Sequence, residues 1–278
     1  MKKLDYIIKQ ISKTNKKNLE NYVITRIWHL INDLNVKIVT QQYVRRVDGY
    51  ALTDLYLPQF DLHIEIDEKH HTKQIKLDFD RETDIIEATN HVLKHIKFDK
   101  DIDKINKQVD EIVDYIAKLK EQKNFEPWDL DKEFNPDYYR KKGYLNVKEK
   151  PTFRRIVDAC NCLGQNYKGC QRAWVKSKVY DNYYLWFPKF YENADWDNRL
   201  DDDGVRIIEK PKKKSLAIEK HYEWSVKNPV SRIVFPRSID NLGFVLYRFK
   251  GIYTVDKEES SIEKGIVFKR IATEFQIK

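Results

Sequence analysis

The sequence predicts an α/β (α+β) domain over residues 1–123, a linker over 124–150, and a mainly-β domain, built as a small, partly closed barrel, over 151–278. Three observations predict it. Helical and strand periods alternate through the first segment, residues 124–150 carry no sustained period, and beyond one helix near Pro151 the chain breaks into short strand-like runs. A length of 278 residues, at roughly 150 per domain, accommodates two modest domains.

In the first segment Leu19, Val23, Ile27, Leu30 and Leu34 recur at helical spacing, which puts them on one face with Glu20 beside the stripe. A strand follows over 36–44, and Asp48-Gly49 is a hairpin signal. Strands at 51–57 and 61–67 are joined by Pro58-Gln59-Phe60. Residues 77–89 read as a helix, with Asp78 near its start and Asn90 at its end, and Val92, Lys94, Ile96 and Phe98 alternate as a short strand. Ile102, Ile105, Val109, Ile112, Ile116 and Leu119 form a heptad-like stripe, either the buried face of a terminal helix or a seam for a second chain. In the second segment a helix begins at Pro151, with Phe153, Ile156, Val157, Cys160 and Leu163 inward and Gly164 as its stop. Strands are predicted at 181–187, 205–208, 232–235, 244–249, 252–255 and 266–271.

Composition narrows the function classes. No run of about 18 apolar residues exists, which excludes a helical membrane span, and Met1-Lys2-Lys3-Leu4-Asp5 lacks a signal peptide's apolar stretch. A cytoplasmic protein is expected. Lysine and arginine number 52 against 44 acidic residues, a surplus that favours a polyanionic partner, and 13% aromatic residues leave rings for base stacking. Three cysteines make no disulfide framework. A C-x-C on a helix points its thiols apart, so Cys160, Cys162 and Cys170 are expected as free thiols rather than zinc ligands.

Chemistry concentrates between Asp54 and His71. Alternation along strand 61–67 turns Leu62, Ile64 and Ile66 to the core and His63, Glu65 and Asp67 to the opposite face, where Asp54 of the preceding strand can join them. Carboxylates held together repel unless a cation neutralises them, and converging oxygen ligands suit Mg²⁺, with Mn²⁺ as a substitute. Asp54, Glu65 and Asp67 are therefore the candidate metal ligands for phosphodiester hydrolysis. His70 and His71, just past the strand, are candidates to handle the proton.

In the second segment eight aromatic residues lie between Trp174 and Tyr191, mostly barrel core. Residues 192–204 read as a polar loop carrying a single tryptophan, Trp196, placed to stack an extruded base. Asp201–Asp203 fails the calcium-loop spacing. Lys210 and Lys212–Lys214 form a basic loop suited to phosphates.

The order helix, Asp-bearing hairpin, carboxylate strand, helix, strand over residues 17–98 resembles the PD-(D/E)xK nuclease fold, with Asp67 where that motif carries lysine. The His70-His71 pair resembles the Vsr-like subgroup, in which histidine replaces the lysine. That likeness implies Glu20 and Gln42 as outer members of the site. Tyr247-Arg-Phe-Lys-Gly251-Ile-Tyr253-Thr-Val255 looks like a stretch of SRA domains, with one extra residue before the glycine. Together with residues 21–29, 40–43, 52–56 and 228–235, the chain resembles the AbaSI-like restriction endonucleases. This resemblance implies double-stranded DNA containing 5-hydroxymethylcytosine, or its glucosylated form, as partner, with Trp196, Asn198 and Glu209, and Asp197 beside them, as the modified-base pocket. Double-strand cutting by one carboxylate cluster per chain implies a homodimer, in which the 102–119 helix could take part.

Overall fold

The computed structural model describes residues 2–46, 49–67, 86, 89–122, 125–191, 195–212 and 217–278. They form two compact units, one of residues 1–130 with Asn241–Gly243, the other of 131–240 and 244–278.

The first unit contains helices α1 (Lys3–Ile11), α2 (Asn18–Ile31) and α3 (Ile102–Gln122) and strands β1 (Val39–Arg46), β2 (Gly49–Leu57), β3 (Leu62–Asp67) and β4 (Val92–Lys97). The four strands form one sheet in sequence order, antiparallel from β1 to β3, with β4 parallel to β3. A parallel step needs a crossover. The helix expected there, at 77–89, falls almost wholly outside the described residues, although Ile86 and Thr89 are both helical. The stripe on α2 is rotated from the expected one. Glu20, Val23, Ile24, Ile27 and Trp28 are buried while Leu30 and Leu34 are exposed, an inward face whose first position is a carboxylate. On α3, Ile105, Val109, Ile112 and Ile116 are buried against α2 and β4, so these four positions of the stripe are used within the unit, while Ile102 at its start is exposed.

The second unit includes part of the segment read as a linker. Helices α4 (Leu130–Phe134) and α5 (Tyr138–Lys142) and strand β5 (Tyr144–Asn146) lie there, and Tyr139 and Leu145 are core residues. The helix expected at Pro151 starts only at Ile156, as α6 (Ile156–Cys162), because Thr152–Phe153 is extended as β6. Gly164 follows it with φ +77°, as its stop position requires. Seven strands form an open sheet in the order β7 (Trp174–Lys176), β8 (Tyr183–Trp186), β11 (Ser231–Val234), β14 (Gly251–Ser261), β15 (Gly265–Ala272), β10 (Arg206–Pro211) and β9 (Trp196–Leu200). β12 (Arg237–Ile239) and β13 (Val245–Arg248) pair with β6, and β16 (Glu274–Gln276) with β5. No sheet closes on itself among the described residues. Gly251 takes φ +112°, and a Cβ there would stand 2.4 Å from the Ala272 carbonyl oxygen, so only glycine lets β14 meet β15. Two further elements near the base-binding residues depart from the sequence expectation. The polar loop around Trp196 is the edge strand β9, and helix α7 (Ala217–Lys227) precedes β11. No helix among the described residues is long and apolar enough to cross a membrane.

Candidate nuclease and base-binding sites

Two buried carboxylates converge in the first unit, Asp54 from β2 and Glu20 from the first turn of α2. The Gln41 Nε2 amide donates to both, at 2.7 Å to Glu20 Oε1 and 3.1 Å to Asp54 Oδ1. Lys17 Nζ lies 2.6 Å from Glu20 Oε2 and 3.9 Å from Asp54 Oδ1. The other Asp54 oxygen accepts the Ile66 backbone N–H at 2.8 Å. The β2–β3 pairing runs from Leu57↔Leu62 to Leu55↔Ile64, so beyond its last pair this side chain replaces a main-chain acceptor. Burial pushes the Glu20 carboxyl above its usual range and the Asp54 charge pushes the same way, against the Lys17 hydrogen bond.

Gln41, not Gln42, is the amide at this site. Gln41 has φ +52°, a left-handed kink inside β1. Gln42 instead spends its amide on the Tyr43 carbonyl at 2.8 Å. The expected trio of Asp54, Glu65 and Asp67 is not gathered as one group. Asp67 Oδ1 pairs with His95 Nδ1 of β4 at 3.2 Å, Glu65 is half-buried opposite His95, and no cluster of three or more His, Cys, Asp or Glu side chains able to hold a metal occurs among the described residues. Positions two apart on a strand are about 6.6 Å from one another, which leaves Asp67 free to turn to its β4 neighbour. His63 does not meet solvent as expected, because its side of the strand is covered there. It is fully buried, stacked at 4.2 Å on Tyr56, and hydrogen-bonded to Thr53 Oγ1 at 2.8 Å and His91 Nδ1 at 3.1 Å. Burial, with the His91 charge, lowers its pKa to about 3. His70 and His71 lie outside the described residues.

The donor chemistry at Glu20 and Asp54 fits a hard divalent cation, because two carboxylates meet where, among the described residues, one ammonium is the cation beside them and an amide and a backbone N–H are their remaining donors. Glu65 lies on the strand that Asp54 caps. Cys160 and Cys162 are buried free thiols and Cys170 a partly buried one; burial raises the thiols of Cys160 and Cys162, the latter to about 12.

In the second unit Trp196 and Asn198 lie on β9, and the register sets Asn198 opposite Glu209 of β10 and Trp196 opposite Pro211. Glu209 is buried, and its Oε2 is 2.8 Å from His221 Nε2 of α7. The Trp196 and His221 rings meet edge to face at 5.2 Å. Asn198 Nδ2 donates to the Lys189 carbonyl at 3.4 Å, whereas its Oδ1 is buried with no hydrogen-bond partner. A hollow of about 390 Å³ opens here, walled by Phe190, Tyr191, Trp196 and Asn198 among others. Asp197 also lines the hollow, with Arg199, whose ion pair at 2.7 Å holds the Asp197 carboxyl below the usual range. Arg232 is buried under the same sheet, 3.8 Å from the Phe268 ring centre. The sequence gives no signal for His221, because the helix that carries it has no clear period or cap.

Residues 4–142 match the model of the family described as restriction endonuclease PvuRts1 I-like, N-terminal, and residues 138–277 match the SET and RING associated (SRA) domain. A solved structure, titled "The 5-Hydroxymethylcytosine-Specific Restriction Enzyme AbaSI", is 35% identical, with 98% of this chain and 97% of that chain covered and a TM-score of 0.62. The chain belongs to the PvuRts1 I-like restriction endonucleases. None of the curated proteins compared matches it. An N-terminal nuclease half followed by an SRA domain makes this PvuRts1 I-like chain a modification-dependent restriction endonuclease. The Glu20–Asp54 pair lies in the nuclease half, and the hollow at Trp196 and Asn198, with Glu209 opposite Asn198 in the register, in the SRA domain.

Proposed function

We propose that this restriction endonuclease recognises 5-hydroxymethylcytosine, or its glucosylated form, by flipping the base into the SRA domain, and cuts both DNA strands on the order of one helical turn away as a homodimer. The observation that carries the reading is the buried, unpartnered Asn198 Oδ1 beside Trp196 and Glu209. An acceptor without a partner is costly unless a ligand supplies the donor. Trp196 stacks on the base, Asn198 Oδ1 accepts from the Watson–Crick edge or the hydroxymethyl group, and Glu209, whose Oε2 is turned to His221, accepts the exocyclic amine through its other oxygen.

In the nuclease half, Mg²⁺ is proposed to bind at Asp54, with Glu20 the carboxylate already beside it and Gln41 orienting both; Glu65 and Asp67 of the neighbouring strand would join the metal once Asp67 turns away from His95. A bound Mg²⁺ polarises a phosphoryl oxygen and lowers the pKa of water. His70 or His71 takes the proton from the attacking water. The test is digestion of matched duplexes carrying cytosine, methylcytosine, hydroxymethylcytosine or glucosylated hydroxymethylcytosine, with Mg²⁺ or EDTA. Cutting confined to the hydroxymethylated forms and to the Mg²⁺ arm is expected. Equal cutting of unmodified DNA overturns the reading. Asp54→Ala should bind the modified duplex with unchanged affinity and fall at least about 10³-fold in cleavage rate, since a metal supplies several kcal/mol to the transition state.

A further inference from the structure

We propose that a cationic groove in the SRA domain grips the sugar–phosphate backbone of the DNA strand whose base enters the neighbouring hollow. The proposal rests on the reading of that domain as the DNA-binding half. The groove has a volume of about 510 Å³, and Arg154, Arg155, Lys168, Lys189 and Arg237 line it with no carboxylate among its lining residues. Surfaces normally intersperse both signs, so five like charges around one concavity mark an anion's place. Two of the five are already engaged at the rim, Arg155 with Asp158 at 2.7 Å and Arg154 with Glu133 at 3.7 Å. Lys168, Lys189 and Arg237 have no carboxylate at ion-pair distance among the described residues, and Lys168 and Lys189 are exposed.

The second observation is what the groove adjoins. Groove and hollow share one wall, the short segment from Phe187 to Tyr191. Phe187 and Lys189 line the groove, while Phe190 and Tyr191 line the hollow. The Lys189 carbonyl holds the Asn198 amide, Lys189 bridges to Arg237, and the Arg237 guanidinium donates to the Tyr191 hydroxyl at 2.8 Å. A nucleotide swung into the hollow keeps its phosphates outside, and the cations across this wall are where the strand leaving the hollow finds its counter-charge. Such interactions fix register without reading sequence.

The test uses the full chain in EDTA, with Lys168→Ala, Lys189→Ala and the double variant, titrated against one duplex with and without a single hydroxymethylcytosine over a KCl series. Removing one phosphate-neutralising ammonium should make the slope of log affinity against log salt shallower by about 0.9, so the double variant changes by about 1.8. Both duplexes should weaken by the same factor, leaving the modified-to-unmodified ratio unchanged, and Lys→Arg at each position should restore the slope. A double variant with the wild-type slope overturns the groove, as does one that abolishes the ratio and keeps the slope. A wild-type chain that shows no preference for the modified duplex would instead sink the base-recognition reading, and the slope would still decide the groove.

Discussion

One backbone angle at Gln41 decides which amide meets the carboxylates. A left-handed residue inside β1 costs about 1–3 kcal/mol and persists where its surroundings over-determine it, and here the bridge from Gln41 to Glu20 and Asp54 supplies that constraint. Gln41→Asn tests the bridge without disturbing the kink, since asparagine tolerates positive φ but is one methylene too short to span both oxygens. Cleavage of the modified duplex should fall by between about 10- and 100-fold with binding unchanged, the penalty expected for a catalytic carboxylate displaced by a fraction of an ångström to an ångström. His63 offers a separate test through pH. Its folded pKa, about 3, lies below the unfolded value near 6.5, so the folded state binds fewer protons and its stabilising effect is complete above pH 6.5 and is lost as pH falls towards 3. Between pH 7 and pH 5 this linkage removes about 2 kcal/mol. Urea unfolding at the two pH values should therefore show wild type losing about 2 kcal/mol more than His63→Gln. A resolved His63 resonance titrating near 6.5 in the folded protein would contradict the burial argument.

Elements were legible where the burial was simple. The strands flanking Gly49 and the stripe on α3 were readable from their apolar residues, whereas β3 is buried on both sides over Leu62–Ile64, so alternation alone put His63 outside. α2 was displaced because its inward face begins with Glu20, a residue any hydrophobic count places outside, and that exception is the carboxylate that Gln41 bridges to Asp54. β9 was hidden for a similar reason, because Trp-Asp-Asn-Arg-Leu at a sheet edge has polar side chains on both faces. Trp196 was legible as a lone tryptophan in a polar stretch, Asn198 and Glu209 came from family likeness, and only the β9–β10 register puts the latter two opposite each other. α7, with its mixed faces, carried no clear stop or start signal. The apolar stripe of α3 yields a prediction at this scale. Ile112→Ala should cost about 2–5 kcal/mol, read as a lower urea midpoint, because the side chain is 6% exposed against α2 and β4. Sedimentation should show the same assembly state as wild type. A variant that dissociates without losing stability would mean that the stripe faces a second chain after all.

At the scale of the whole molecule, the chain carries a carboxylate pair in its nuclease half and a hollow in its SRA half. A duplex has two strands of opposite polarity, so a single cleavage centre that cuts one strand must turn around or find a second copy to cut the other. A two-fold dimer places a second centre in the reversed orientation with no further device. Equimolar mixing of wild type with Asp54→Ala makes this visible. If subunits exchange freely, about half of the dimers hold one active and one silent centre. On a supercoiled plasmid with hydroxymethylcytosines spaced for both subunits, these should produce nicked circles that accumulate before linear DNA, whereas wild type alone should pass to linear product with little nicked intermediate. A halved linear yield with no rise in nicked circles would mean that each chain cuts both strands by itself, and the requirement for a partner would fall while the assignment of Asp54 would stand.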